Sequence, residues 1–385
     1  MGPLSNIKVV EIGGIGPGPV AGMLLADLGA DVILVERQSA NRNAVRLDAG
    51  GKTGTEFFKR GKRSIALDLK NPRHVEVVLS LVRNADMLIE GFRPGVIERL
   101  GLGPDVCFEL NRKLVYGRMT GWGQSGPLAQ AAGHDLNYLA ITGALHYSGL
   151  PGDRPFPTPT LMGDVGGGAM TLVMGLLSAY VHALRTGQGQ VVDAAICDGV
   201  VYGMSLLAGF RAQGNLGEER GGDFVTGGAH WAQTYTCADG RYVTVQSAEP
   251  DFYSQLVSLC GLEGEPEFGR QYDRKTWPKA REKMAALFAT KTRAQWCEIL
   301  EGTDACFAPV LNLAEAAAYP HNRARENFVE IGGIQQPAPA PKFSLTRQKV
   351  GVPPGMGQHA KEILDALDLT PEVMESLRRD GVVAG

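Results

Sequence analysis

His134 lies between Gly133 and Asp135 in the stretch AAGHDLNYLAITGALHYSGL, and Asp164 follows Gly163 in PTLMGDVGGGAM. Each stands at the entrance to an apolar segment and beside glycine, where a substrate can approach the backbone. An imidazole and a carboxylate are the equipment for taking a proton from a carbon acid and returning one. Each also has a plainer reading. Asp immediately before a long helical pattern is a standard helix N-cap, and a histidine in a loop leading into a helix is by default a surface residue. The run Gly166-Gly167-Gly168 is poor helix-forming sequence placed where backbone is left bare. Free N–H groups at such a helix start suit a developing oxyanion. Glu249, after a hairpin strand, is by default a solvated carboxylate.

The elements that must hold these residues begin with a βαβ pattern. Ile7 to Ile12 is a β-branched run, GGIGPGP a turn, Val20 to Leu28 a helical pattern, and Asp31 to Val35 a second strand ending in Glu36. A dinucleotide site is the obvious test of that unit. It fails in detail, because Pro17 and Pro19 lack the N–H groups a pyrophosphate needs, and Glu36 is followed at once by Arg37. Strands at Ser64 to Leu69, Ala85 to Glu90 and Val115 to Met119 alternate with helices, which predicts a parallel sheet covered on both faces. Ligands of such sheets bind where strands end, and Arg37, Lys70, Arg93 and Arg99 fall there. They are either ordinary surface charges or the basic lining of a site for a phosphate-bearing ligand.

Val165 to Arg185 is apolar nearly all round, which predicts a buried helix. Gly214 to Gly228 is polar and glycine-rich, TYTCADGRYVTVQSA is a hairpin turned at Ala238-Asp239-Gly240, and helical patterns run from Phe252 to Leu300. PAPAPKFS is an extended linker before two terminal helices. The expected organisation is a Rossmann-like α/β large domain over 1–213, a linker over 214–228, a smaller α+β domain over 229–330, and a linker with C-terminal helices over 331–385 returning to the large domain.

With 44% apolar and 21% charged residues and a net charge of −3, the composition is that of a soluble globular protein without the basic excess of a nucleic-acid binder. The cysteines, Cys107, Cys197, Cys237, Cys260, Cys297 and Cys306, show neither a CxxC pair nor a zinc-like spacing with histidine. They read as reduced thiols of a cytoplasmic protein, with no metal site. No leader and no charge-free run of membrane-spanning length is expected, and no membrane partner.

IKVVEIGGIGPGPVAGMLLADLGADVILVER, GKRSIALDLK, GFRPGVIERLGLGP, GHDLNYLAITGAL, GDVGGG, GQGQVVDAAICDG and AEPDFY together resemble the class III CoA-transferase (CaiB/BaiF) superfamily and, within it, the alpha-methylacyl-CoA racemases. The histidine of GHD separates racemases from members that transfer CoA. The resemblance implies an interlocked homodimer with the active site between a CoA-binding large domain and a small domain. It implies that His134 and Asp164 are the two bases and that Glu249 supports the histidine. For the CoA moiety it points to Arg37, to Leu67, Asp68, Leu69 and Lys70, to Gly91, Phe92 and Arg93, to Arg99, and to Gly133, Asp135, Leu136, Asn137 and Tyr138. CoA would arrive as part of an acyl-CoA thioester substrate, with no further cofactor. Two alternatives stand beside racemisation: CoA transfer with Asp164 as nucleophile, and a catalytically idle CoA-binding scaffold. The racemases commonly read close to MLDGGAPFY where this chain has FVTGGAHWA, Phe224 to Ala232, so the acyl chain is not carried over.

Overall fold

Alternation of β-branched runs with helical patterns builds a six-stranded sheet in which every pairing is parallel. The computed structural model describes residues 2–38, 54–348 and 350–383; of the loop expected over 40–60, residues 40–53 lie outside them. In chain order the elements are β1 (Lys8–Ile12), α1 (Pro17–Asp27), β2 (Asp31–Arg37), β3 (Arg63–Leu67), α2 (Pro72–Val82), β4 (Met87–Glu90), α3 (Val96–Arg99), α4 (Pro104–Leu110), β5 (Val115–Thr120) and α5 (Asp135–Thr142). A π-helical segment, Leu161–Met170, then runs directly into α6 (Thr171–Thr186), followed by β6 (Gln190–Ala195) and α7 (Ile196–Gly203). The strand order β3-β2-β1-β4-β5-β6 reverses direction between β1 and β4, and a doubly wound sheet opens its ligand crevice at the carboxyl ends beside such a reversal. Val10, Ile12, Val35, Ile65 and Leu88 form the sheet's buried core, sealed by Val77 and Val78 of α2.

The chain divides into two units: Met1–Thr142, Thr158–Gly203 and Phe328–Gly385 in the first, Gly143–Pro157 and Met204–Asn327 in the second. Residues 143–157 and 204–213, read from sequence as part of the large domain, thus cluster with the smaller unit. The reason is local. Arg220 donates to the carbonyls of His146 (2.6 Å), Leu150 (3.3 Å) and Asp153, which ties the 143–157 loop to the glycine-rich segment.

The second unit contains α8 (Ser205–Ala212), β7 (Ala232–Thr236), β8 (Tyr242–Gln246), α9 (Pro250–Leu259), α10 (Trp277–Phe288), α11 (Arg293–Leu300), β9 (Phe307–Pro309), α12 (Leu313–Ala318) and α13 (Pro320–Ala324). Its antiparallel β7-β8-β9 sheet contains the predicted hairpin and packs on an aromatic core that includes Trp231, Tyr235, Phe288 and Trp296. The first unit resumes with an antiparallel hairpin, β10 (Phe328–Ile331) and β11 (Ile334–Pro337), which the sequence reading lacked, and closes with α14 (Ala360–Asp365) and α15 (Pro371–Arg379).

One expectation fails at α6. Leu172, Leu176, Ala179 and Ala183 are buried, but Met170, Met174, Val181 and Leu184 on the remaining faces are exposed. A single sheet covers only one side of a helix: Leu172 and Leu176 close over Gly117 of β5, where an added Cβ would come within 3.0 and 2.8 Å of them, and Gly175 admits Val192 of β6. Contrary to the sequence reading, Leu161–Thr186 is, by length and composition, a helix long and apolar enough to cross a membrane. One side of it packs on β5 and β6.

Candidate functional site

Asp164 is not an N-cap. It is the fourth residue of the π-helical segment, whose cap position, Thr160, makes no side-chain cap bond. The wide turn is visible in the bond from the Val165 N–H to the Thr160 carbonyl, five residues back, at 3.3 Å; such wide turns gather at functional sites. The glycine run also does something other than expose backbone. An added Cβ on Gly167 would sit 2.9 Å from the Ile196 carbonyl oxygen and 2.6 Å from Val200 Cγ2, and one on Gly168 would sit 2.9 Å from Pro17 Cβ. Gly167 and Gly168 are therefore buried wedges that let the segment pack against α7 and the start of α1. They are not a bare oxyanion cradle. This packing sets Asp164 at the carboxyl end of β1: a Cβ on Gly16, whose φ of +75° demands glycine, would lie 3.6 Å from Asp164 Oδ2.

His134 is exposed in the loop before α5. Its backbone begins the helix: the His134 carbonyl accepts from the Asn137 N–H at 2.8 Å, and the His134 N–H donates back to Asn137 Oδ1 at 3.0 Å. The loop is fixed from behind by Tyr138, whose hydroxyl donates to the Gly133 carbonyl and whose ring meets Trp122 edge-on, centroids 4.6 Å apart. Gly133 and Gly121 leave room for that pair; a Cβ on Gly133 would come 2.7 Å from Trp122 and 2.8 Å from Tyr138.

The two proton carriers share one electrostatic environment. Asp164 is half-buried, and burial first, then the charge of Asp135, pushes its carboxyl above the usual aspartate range, while His134 pulls in the opposite direction. Tyr138 is pushed up to about 12 by burial, with Asp164 adding to the rise and Arg93 opposing it. Burial is thus the largest influence on the Asp164 carboxyl.

Of the residues expected to hold CoA, those from Arg37 to Arg93 fall at or just after the carboxyl ends of strands, whereas Arg99 and the 133–138 stretch belong to helices or the loop before one. Arg37 ends β2, Leu67 ends β3, Asp68, Leu69 and Lys70 form the turn into α2, Gly91, Phe92 and Arg93 follow β4, and Arg99 ends α3. Gly133 precedes α5, and Asp135, Leu136, Asn137 and Tyr138 are its first four residues. Arg37, Lys70, Arg93 and Arg99 are exposed, and none of the four has an acidic partner among the described residues. Nearby basic residues are spent differently: Lys62 on Glu11 at 2.5 Å, Arg60 on Asp27 at 2.5 Å, Arg118 on Glu90 and Glu98 at 2.9 Å each. Glu249 belongs to the second unit, at the cap position of α9, where its exposed side chain makes no cap bond.

Sequence reasoning passed over Gly16 and Trp122, and took Gly163 as room for substrate where it makes room for Asp135. Gly16 was available in the GGIGPGP turn, set aside with the dinucleotide reading; the tryptophan carried no signal of its own. Among the described residues no group of three or more His, Cys, Asp or Glu is placed to hold a metal ion.

A doubly wound sheet with a half-buried aspartate and a histidine at its reversal point frames acyl-CoA chemistry, and sequence comparison gives the class: residues 4–360 match CoA-transferase family III, and the chain belongs to that family. Its similarity is strong to the alpha-methylacyl-CoA racemase of Mus musculus, 40% identical over 99% of this chain and 97% of the relative, and to that of Homo sapiens, 38% identical over the same shares. Among solved structures, a CaiB/BaiF family protein from Brucella suis superposes with a TM-score of 0.80 at 26% identity, covering 95% of this chain and all of the other.

Proposed function

We propose that this chain inverts the α-carbon of 2-methylacyl-CoA thioesters by a 1,1-proton transfer through an enolate, with His134 and Asp164 as the two bases. The observation that carries the reading is a half-buried carboxyl at the reversal point of the sheet, held above the ordinary aspartate range by burial and within the electrostatic reach of an exposed imidazole. The α-hydrogen of a thioester is weakly acidic and its conjugate base is planar, so inversion needs one proton carrier on each face. Neutral His134 takes the proton from one face, and the C–H electron pair enters the enolate. The Asp164 carboxyl then gives its proton to the opposite face. The site is left as imidazolium and carboxylate, which is the starting state for the reverse direction. Each positioned acid or base is worth about 10² to 10⁴ in rate. An Asp164 that keeps its proton more readily than an ordinary aspartate suits this role.

The unpaired Arg37, Lys70, Arg93 and Arg99 supply positive charge for the phosphates of CoA. The exposed face of α6, with Met174, Val181 and Leu184, favours a homodimer in which a second copy covers it. CoA enters as part of the substrate, and six free cysteines suit a reducing, cytoplasmic setting.

The test is proton exchange. In D₂O, a single-epimer 2-methylacyl-CoA acquires deuterium at C2 while the other epimer accumulates. The family's transferases supply the competing chemistry, in which the Asp164 carboxylate attacks the thioester carbonyl and expels the CoA thiolate. Hydroxylamine trapping at Asp164 in the presence of an acceptor acid, without deuterium at C2, would overturn the racemase reading.

A further inference from the structure

Asp135 joins the two halves of this site and has no role in the chemistry above. It follows His134 directly, and its side chain turns inward to 5% exposure. Its Oδ1 accepts the backbone N–H of Asp164 at 2.8 Å. Gly163 is shaped for that contact: a Cβ there would overlap Asp135 Oδ1 and come 2.8 Å from Asp135 Cγ. The second oxygen, Oδ2, is buried without a hydrogen-bond partner among the described residues. A buried polar atom left unmade costs about 1–3 kcal/mol, more for a charged group, so the fold carries a liability here that packing alone would have removed.

We propose that Asp135 is the positioning residue of the proton-transfer site: it holds Asp164 by the backbone and keeps a second carboxylate beside it. The proposal rests on the two-base reading and adds what keeps Asp164 able to donate. The orphaned Oδ2 has its place in this account. A second donor on it would weaken the field that Asp164 feels, and none is found among the described residues. The other titratable groups on the packed elements do not substitute for it. His134 pulls Asp164 the opposite way. Tyr138 bonds the Gly133 carbonyl. On α7, Cys197 is pushed up to about 11 by burial, and Asp198 is exposed. On β5 and β6, Arg118 is taken by Glu90 and Glu98, and Asp193 accepts from the Gln124 N–H. The start of α1 meets the segment through Pro17.

Asp135→Asn keeps an oxygen for the Asp164 N–H and removes the charge; Gly163→Ala keeps the charge and forces the two segments apart. The direct readout is the Asp164 carboxyl titration, followed by ¹³C NMR of aspartate-labelled protein, with Asp164→Asn identifying the signal. Asp135→Asn is expected to lower its midpoint by about one pH unit, tenfold in the acid dissociation constant. The acid limb of kcat/KM for C2 exchange then moves to lower pH by the same amount. Gly163→Ala moves both in the same direction. A midpoint unchanged in Asp135→Asn overturns the proposal, as does a fall in rate at every pH with the limb in place, which is what a merely structural residue would give. Failure of the wild type to exchange at C2 sinks the racemase reading instead, and the NMR midpoint still decides the role of Asp135.

Discussion

Replacing His134 by alanine removes an imidazole that carries little of the fold. The backbone of His134 starts α5 through its carbonyl and N–H, both of which alanine retains, and the side chain is exposed. A substitution of that kind changes stability by about 0.5 kcal/mol or less. Its catalytic cost is of another order. Loss of one positioned base is worth about 10² to 10⁴ in rate, or about 2.7 to 5.4 kcal/mol of transition-state stabilisation at 1.36 kcal/mol per decade. The two effects separate cleanly, so a fall in inversion cannot be blamed on unfolding. The single-base variants should also split the reaction by face. In His134→Ala, Asp164 still meets one face of the α-carbon, and one epimer exchanges its C2 proton with D₂O while keeping its configuration. In Asp164→Asn the other epimer does so. The assay is ¹H NMR of the C2 signal for each pure epimer, with chiral separation of the products. Wild-type inversion in His134→Ala, or exchange of the same epimer in both variants, would refute the two-base scheme.

The burial that raises the Asp164 carboxyl has a stability consequence with a definite sign. A folded pKa above the unfolded value, about 3.9, means that stability is full below that value and falls as pH rises through the folded pKa. Asp164→Asn should therefore melt higher than wild type near neutral pH, with the gain fading toward pH 3; equal melting temperatures from pH 4 to 8 would count against a raised pKa. Lys62 and Glu11 are 3% and 1% exposed, and Lys62 Nζ also donates to the Pro19 carbonyl at 2.9 Å. Lys62→Met strands a buried carboxylate, and chemical denaturation should show a loss of about 3–5 kcal/mol, largely recovered by adding Glu11→Gln; a loss below the error of the measurement would mean that the pair is not buried. Arg93→Gln and Arg99→Gln should each raise KM for the acyl-CoA by roughly several-fold to tenfold, leave kcat nearly unchanged and weaken the salt dependence of KM. Unaltered KM in both would place the CoA phosphates elsewhere.

The parallel sheet was legible because buried parallel strands are written as continuous β-branched runs. Ile7 to Ile12, Asp31 to Val35 and Val115 to Met119 each fall within a residue or two of an observed strand. The exposure of α6 was not legible in the same way, since an apolar circumference states that a helix needs cover on every side without saying whether the same chain provides it. The hairpin Phe328–Pro337 was lost for the opposite reason: its second strand, Ile334–Pro337, has two glutamines and runs into proline, so nothing in it alternates like a half-buried strand. At the site, the identities of His134 and Asp164 were readable from residue type and glycine context. The partner that joins them was not, because the resemblance gives Asp135 to the CoA moiety, and only the fold brings Gly163 onto its side chain.

The π-helical segment ties these points together. An aspartate at the fourth position of an ordinary helix would direct its backbone N–H at a carbonyl of the preceding turn, and no side chain from another element could claim it. Widening the turn frees the Asp164 N–H for Asp135 while the segment continues without a break into α6. Glycine is what makes the widening tolerable. Gly163 admits the carboxylate from α5, and Gly167 and Gly168 admit α7 and Pro17, so the segment is held from three sides where its own hydrogen bonding is weakest. The sequence GDVGGG is therefore read as a packing prescription: it sets the aspartate at the carboxyl end of β1, half out of water and beside a second negative charge. Those are the two conditions that lift the carboxyl above the usual aspartate range.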